Sequence, residues 1–218
     1  MTNPHAVTRD FEAALCEYTH AKYAVAVTSC TMALLLATKW ALERCDAYHF
    51  PTSQEAIRWL KAPAHSVEIP KRTYISVPMS IIHVGARPVF RDEEWKGMYQ
   101  LKPLPVWDAA RRFTSGMYVP GTFQCVSFHW AKTLAISQGG AILHDDPEAD
   151  VWLRKARFDG RTEGVAPKDD TFDVLGWHCY VSPSLAAEGL MRLSLLPEHN
   201  EDLPNDPYPD LSLIALFH

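Results

Sequence analysis

Apolar and polar positions divide the chain into short buried strands and amphipathic helices. Residues 24–27 are continuously apolar, and a polar turn leads from them into an amphipathic segment between positions 31 and 44. By the same criteria, strands are predicted at 67–70, 87–90, 104–107, 123–128 and 140–144, and helices at 11–18, 54–61, 75–84 and 146–157. Strands that alternate with helices predict an α/β fold, with a three-layer, mostly parallel sheet flanked by helices.

One apolar stretch approaches the length of a membrane span. Residues 23–42 are almost continuously apolar, and a helix needs about 20 such residues to cross a bilayer. A polar run interrupts the middle of this stretch, and Lys39 lies near its far end. We therefore expect a buried strand, a turn and a helix here, and no membrane partner.

Composition and charge narrow the class of protein. With 218 residues, of which 47% are hydrophobic, the chain can bury a substantial core. A net charge of −5 argues against a nucleic-acid partner. The five cysteines are scattered without a CxxC pair, and residues 1–5 lack a secretory pattern. We expect neither disulfides nor a zinc site, and a cytoplasmic location.

Two residues suggest a specific chemistry. Asp108 directly follows a predicted strand, and Lys132 comes 24 positions later, just after another strand. Pyridoxal phosphate (PLP) enzymes need such a pair, since a lysine amine bonds the cofactor aldehyde and an aspartate keeps the pyridine nitrogen protonated. The polar turn 28–31 joins a strand to a helix start, where backbone N–H groups favour a phosphate. Because ligands bind beyond the carboxyl ends of such strands, these groups are expected to converge.

Other constellations are weaker. Ser127, His129 and Asp108 have the residue types of a hydrolytic triad, but no GxSxG turn supports the serine as a nucleophile. The ten histidines show no metal-binding spacing such as HExxH, so no metal is expected. Neither GxGxxG nor GxxxxGK occurs, and Gly139 and Gly140 are interpreted as a tight turn near Lys132.

Several segments together resemble the DegT/StrS-type family of PLP-dependent sugar aminotransferases. The similarity runs from about residue 11 to 198, with an unmatched stretch near 43–66, and the segments that carry it are 11–15, 23–29, 67–74, 83–90 and 108–143. The resemblance implies a fold-type-I PLP-binding large domain over residues 1–200 and a Pro/Asp-rich tail over 201–218, without the family's C-terminal small domain. It also implies a homodimer.

The resemblance assigns roles to matched positions. Lys132 matches the lysine that forms the Schiff base with PLP, and Asp108 matches the partner of the pyridine nitrogen. Ser29, Cys30 and Thr31 match the turn that holds the cofactor phosphate. Cys30 stands where the family usually has glycine, which places a Cβ atom close to the phosphate.

Four further positions complete the predicted cofactor site. Ser127 matches a hydroxyl that also contacts the phosphate. Tyr74 matches the aromatic residue that stacks on the cofactor ring, with an ordinary core tyrosine as the alternative. Arg111 stands where a Gln or His contacts the phenolic oxygen, and it either does the same or faces solvent. His178 replaces an Asn that reaches the phosphate of the neighbouring subunit.

The predicted function is transfer of an amino group. The donor would be an amino acid such as glutamate, and the acceptor a keto group on a nucleotide-linked sugar or similar small molecule. A related PLP reaction (dehydration, decarboxylation or retro-aldol cleavage) is a close variant. The alternative is a non-catalytic or partner-dependent scaffold subunit. It is favoured by the shortness of the chain relative to the family and by Cys30, His178 and Tyr180, the last of which replaces a family arginine, and it is opposed by the presence of both Lys132 and Asp108.

Overall fold

The computed structural model describes residues 5–44 and 65–218. Its α-helices are α1 (Ala6–Thr19), α2 (Cys30–Glu43), α3 (Ser76–His83), α4 (Pro147–Ala156) and α5 (Pro183–Leu193). Its strands are β1 (Tyr23–Val27), β2 (Ser66–Pro70), β3 (Arg87–Arg91), β4 (Tyr99–Leu101), β5 (Val106–Asp108), β6 (Phe123–Ser127) and β7 (Gly140–His144). Short 3-10 turns lie at Pro167–Asp169, Leu211–Leu213 and Ala215–Phe217.

The strands form a mixed sheet. Its order is β1-β7-β6-β5-β4, and the parallel pair β2-β3 is joined to β4 by two backbone hydrogen bonds between Glu68 and Lys102. The expected α/β fold with helix-covered sheets is confirmed, but the sheet is mixed and not mostly parallel, because β5-β6 is the one parallel pair among the four described pairings of the five-stranded sheet. β7 is antiparallel to both neighbours, and β4 is antiparallel to β5. The reason is local: β6 returns into β7 through residues 128–139, which contain no crossover helix.

Both faces of the sheet are covered, as the three-layer prediction requires. Successive side chains of a strand point to opposite faces. In β1, Val25 and Val27 belong to the core beneath α2, whereas Ala24 and Ala26 belong to the core beneath α1 and α5. Two buried cores on the two faces of one sheet explain why this strand is apolar throughout.

Most predicted elements are present, with shifts at their ends. β5 is shorter than predicted because residues 103–105 turn the chain from β4 into β5. Pro78 is tolerated because α3 begins only at Ser76, so the proline lies in a first turn that needs no N–H donor. The structure adds β4 and α5, which periodicity missed. The predicted helix at 54–61 lies outside the described residues.

The apolar stretch of residues 23–42 contains β1, a polar turn and most of α2. In the described ranges, no helix is long and apolar enough to cross a membrane.

A buried histidine makes stability depend on pH. The His144 side chain is fully buried between the rings of Phe123 and Tyr23, and this burial lowers its pKa from 6.5 to about 4. The unfolded chain then binds the proton more tightly than the folded one. The stabilisation is complete above pH ~6.5 and is lost as the pH falls towards ~4, at a cost of about 3 kcal/mol.

We expect His144→Phe to keep the ring packing and to remove this loss. Urea unfolding at a series of pH values would measure it as the difference in unfolding free energy between wild type and variant. Asp150 Oδ1 lies 3.7 Å from His144 Nε2, and burial raises the pKa of Asp150 to about 6, so the two proteins are also compared in the Asp150→Asn background. Parallel pH profiles for the two proteins would contradict the assignment to His144.

Candidate active site

A cavity of about 670 Å³ opens at the carboxyl ends of β1, β5 and β6. Ligands of α/β sheets bind at this end. Eight of the predicted site residues line it: Ser29, Cys30, Thr31, Tyr74, Asp108, Arg111, Ser127 and Lys132. The structure therefore brings together groups that the sequence separates by up to 103 positions.

The first turn of α2 forms one wall of the cavity. Ser29 is the extended N-cap residue, and its Oγ accepts a hydrogen bond from the Met32 N–H at 3.2 Å. Thr31 Oγ1 lies 2.8 Å from Ser76 Oγ at the start of α3. The earliest N–H groups of a helix have no intrahelical acceptor, and together with the helix dipole they favour an anion. This wall can therefore hold a phosphate.

Cys30 does not obstruct this wall. Its Sγ donates to the Cys125 carbonyl oxygen at 3.4 Å, so the side chain is directed into the core, and burial keeps the pKa of the thiol well above its usual range. The backbone N–H groups of the turn remain available. Gly140 at the start of β7 packs directly against this turn, since a Cβ there would lie 2.5 Å from the Cys30 nitrogen.

We expect Gly140→Ala to damage the phosphate wall. The added Cβ would also meet the Ser29 carbonyl carbon at 2.6 Å and the Val126 oxygen at 2.7 Å, all of them backbone atoms that must shift. Overpacking of this kind costs about 1–3 kcal/mol. Thermal unfolding and titration with inorganic phosphate would measure both effects. Gly189→Ala is the control, because its Cβ would meet the Phe11 ring at 2.6 Å in the core and should lower stability without changing the phosphate affinity. An unchanged phosphate affinity would contradict the role of Gly140.

Asp108 lies on the cavity floor and is only 4% exposed. Its Oδ2 accepts from the Tyr99 hydroxyl at 2.8 Å, and its Oδ1 from the Ala110 N–H at 2.9 Å. Tyr99 is held in turn by Thr73 Oγ1 at 2.6 Å. Burial raises the pKa of Asp108, although these hydrogen bonds oppose it, and the carboxylate forms no ion pair with any described residue. A cationic ring nitrogen would supply the partner that this carboxylate lacks.

Lys132 carries the cavity's amine. It follows β6 in a turn closed by a hydrogen bond from its N–H to the His129 carbonyl oxygen at 2.8 Å. Burial lowers the pKa of its ammonium group, and the nearby charge of Arg111 lowers it further, whereas Asp108 opposes the shift. Among the described residues it has no ion-pair partner. A larger fraction of neutral amine makes it a better nucleophile.

The structure decides two alternatives that the sequence left open. Tyr74 is 57% exposed and borders the cavity just before α3, so it is not a core tyrosine. Arg111 is 7% exposed and faces the cavity instead of solvent. Ser127 accepts from the His129 N–H at 3.4 Å. The carboxylate of Asp108 accepts hydrogen bonds from Tyr99 and Ala110 and not from His129, so Ser127, His129 and Asp108 do not form a hydrolytic triad.

His178 is not brought to the cavity of its own chain. Its side chain is 72% exposed, and its Nδ1 lies 2.8 Å from Asp159 Oδ2. Contact with the phosphate of a neighbouring subunit stays a prediction.

The C-terminal segment contributes residues that the sequence analysis missed. Arg111 Nη2 donates to Asp206 and, at 2.9 Å, to the Tyr208 hydroxyl, and both partners line the cavity. Tyr208 also stacks on Trp95, with ring centroids 6.3 Å apart. The only signal in the sequence was that this segment is acidic while the loop after β5 is basic, and charge alone does not specify a pairing.

The donor set fits PLP. The cavity combines a buried carboxylate that forms no ion pair with a described residue, an amine with a lowered pKa and a helix N-terminus that can receive a phosphate. In this arrangement Ser29, Thr31 and Ser127 would hold the phosphate, Asp108 the ring nitrogen, and Lys132 the aldehyde carbon.

Sequence comparison identifies the family. A family model described as the DegT/DnrJ/EryC1/StrS aminotransferase family matches residues 2–119 and 119–202. The chain therefore belongs to this family. Comparison with curated proteins gives no match.

Solved structures of aminotransferases share the fold. Sugar aminotransferase CalS13 from Micromonospora echinospora is 17% identical, with a TM-score of 0.67, over 87% of this chain and 60% of its own length. An aminotransferase from Psychrobacter cryohalolentis is 19% identical, with a TM-score of 0.66, over 86% of this chain and 56% of its own length. NtdA from Bacillus subtilis, solved with the cofactor PMP, is 16% identical, with a TM-score of 0.65, over 87% of this chain and 48% of its own length. This chain spans about half to three fifths of their length.

Proposed function

We propose that the protein is a PLP-dependent aminotransferase that moves an amino group from a donor such as glutamate to a keto group. The single observation that carries the proposal is the placement of Lys132 and Asp108 in one cavity with the N-terminus of α2. Membership in an aminotransferase family supports it. When bound, PLP supplies an aldehyde that condenses with amines and a ring that accepts electrons.

The chain's own residues perform distinct tasks. Lys132, with its lowered pKa, presents a neutral amine, and it moves a proton at the substrate carbon once the donor has displaced it. Asp108 holds a proton on the ring nitrogen by its negative charge. Tyr74 borders the cavity, where it would stack on the ring.

We propose a nucleotide-linked sugar or similar small molecule as the acceptor, because relatives of the same fold are described as sugar aminotransferases. We also propose a cytoplasmic homodimer. The four described cysteines are free, which suits a reducing compartment. In a homodimer, the exposed His178 is available to the neighbouring subunit's phosphate.

A second candidate is a scaffold that binds PLP without turnover or needs a partner subunit. It is favoured by the position of His178, because one expected phosphate contact lies outside the cavity of its own chain.

Visible absorbance of the purified protein mixed with PLP tests the proposal. Wild type is expected to turn yellow, and borohydride reduction with peptide mapping should place the reduced cofactor on Lys132. Lys132→Ala should stay colourless, while Lys39→Ala, which alters a helix-surface ion pair with Glu43, should behave as wild type. Bleaching by glutamate would support transamination. A yellow protein that glutamate leaves unchanged would favour the scaffold, and a colourless wild type would overturn PLP binding.

A further inference from the structure

The segment 202–210, here called the C-terminal strap, crosses the cavity mouth and is anchored on both sides of it. At one end, Asp202 receives two hydrogen bonds from the guanidinium of Arg112, at 2.8 and 2.7 Å, and the Leu203 N–H donates to the Arg111 carbonyl oxygen at 2.9 Å. Just beyond the other end, the Leu211 N–H donates to the Lys71 carbonyl oxygen at 2.8 Å. Between these ends, Asn205 Nδ2 donates to the Trp95 carbonyl oxygen at 2.7 Å, so the backbone of the strap is held at its centre as well.

The two ion pairs of the strap differ in kind. Asp202 is bound through both oxygens and its side chain is only 14% exposed, as expected for a permanent bridge. Asp206 contacts a single nitrogen of Arg111, and its side chain is 64% exposed. The side chain of Arg111 is 8% exposed. The basic partner is thus fixed inside the cavity, whereas the acidic partner lies largely in water.

Arg111 has binding capacity that Asp206 does not use. Its Nε is buried and has no hydrogen-bond partner, and its contacts to Asp206 and Tyr208 both come from Nη2. A guanidinium binds a carboxylate best through two parallel hydrogen bonds. A carboxylate that reached both Nε and an Nη of Arg111 would form the two parallel hydrogen bonds that Asp206, on Nη2 alone, does not form.

The guanidinium of Arg111 also lies close to the amine of Lys132. Arg111 and Asp206 are both close enough to Lys132 for their charges to shift its pKa, in opposite directions. A carboxylate on Arg111 would therefore lie near Lys132, as the carboxylate of an amino acid must when its amino group reacts there.

We propose that Arg111 binds the carboxylate of the amino-acid donor, and that Asp206 occupies this site when no donor is present. The proposal rests on the proposed function and adds a residue that selects the substrate class, an α-amino or α-keto acid. Exchange of one carboxylate for another conserves the charge at Arg111, and it requires only that the exposed side chain of Asp206 turn away, while the strap's backbone stays in place. Tyr208 remains on Arg111 through its hydroxyl and on Trp95 through its ring.

Calorimetric titration with 2-oxoglutarate, using the full chain without PLP, tests this proposal. Asp206→Ala is expected to bind 2-oxoglutarate about tenfold more tightly than wild type, since the competing charge-assisted hydrogen bond is removed. Arg111→Gln is expected to bind it at least about tenfold more weakly. Glu201→Ala removes an exposed charge that pairs with His199 and serves as the matched control, with wild-type affinity.

Equal affinities of wild type and Asp206→Ala, undiminished binding by Arg111→Gln, or no binding by any of the four proteins would overturn the proposal. An equal gain in Glu201→Ala would overturn it too, because net charge would then explain the effect. Thermal unfolding verifies that each variant is folded. Yellow wild type with PLP fixed on Lys132 keeps the proposed function intact even when the 2-oxoglutarate affinities do not differ.

Discussion

Replacement of Asp108 with asparagine is expected to slow the reaction of the PLP-loaded protein with glutamate by about 10²–10³-fold. The amide has the shape of the carboxylate and can still accept from the Tyr99 hydroxyl or the Ala110 N–H. It carries no charge, however, and cannot keep a proton on the ring nitrogen of the cofactor. The measurement is the rate of the absorbance change that follows mixing with glutamate.

The same substitution is expected to leave PLP attached to Lys132, because the amine and the phosphate wall are unchanged. Asp173→Asn provides the control, since Asp173 is an exposed carboxylate whose partner is Lys155 at 2.7 Å. A rate for Asp108→Asn within about twofold of the wild-type rate, far below the loss expected for such a group, would refute its assignment to the ring nitrogen.

Replacement of Glu12 with glutamine is expected to lower the free energy of unfolding by about 3–5 kcal/mol. Glu12 is 3% exposed and accepts from the Ala26 N–H at 2.9 Å. It forms ion pairs with Arg154 at 2.6 Å and with Arg157, whose side chain is 2% exposed. Without the carboxylate, the buried guanidinium of Arg157 keeps only the more distant Glu163, at 3.7 Å, and the contacts that join α1, β1 and α4 are weakened. Urea unfolding monitored by circular dichroism would measure the loss.

A surface ion pair sets the scale for this comparison. Glu188 pairs with Arg192 one turn away on α5, at 2.7 Å, and both side chains are partly exposed. Glu188→Gln is expected to change the unfolding free energy by no more than about 0.5 kcal/mol. Similar losses for the two variants would show that the Glu12 cluster does not act as a buried network.

Local pattern was sufficient to predict the elements that form the cavity. β1 and the start of α2 follow from four apolar residues and the polar turn after them, and β7 was predicted with the bounds it has. β4 was missed because it is three residues long, too short for a periodicity to be recognised. α5 was missed although Ser182 and Pro183 form a regular helix start.

The chemical groups of the site were also predictable to a large extent. Asp108 and Lys132 were found from their order, their spacing and their positions after strands, and the rule for α/β sheets indicated that they would meet. Tyr99 was not found, because it lies opposite Asp108 only through the register of β4 and β5. That register depends on strand pairing and cannot be derived from either strand alone.

The sequence by itself determined the α/β class and the strand–turn–helix unit at the cavity, and it predicted an anion site there together with the aspartate and lysine. These depend on contacts between residues close in the chain and on a general rule for sheets. Only the tertiary structure decided that Arg111 faces the cavity, that Asp206 pairs with it from 95 positions away, and that His178 lies outside. Such pairings are set by the path of the chain across the sheet, because charges attract any opposite charge and only the fold selects which ones meet.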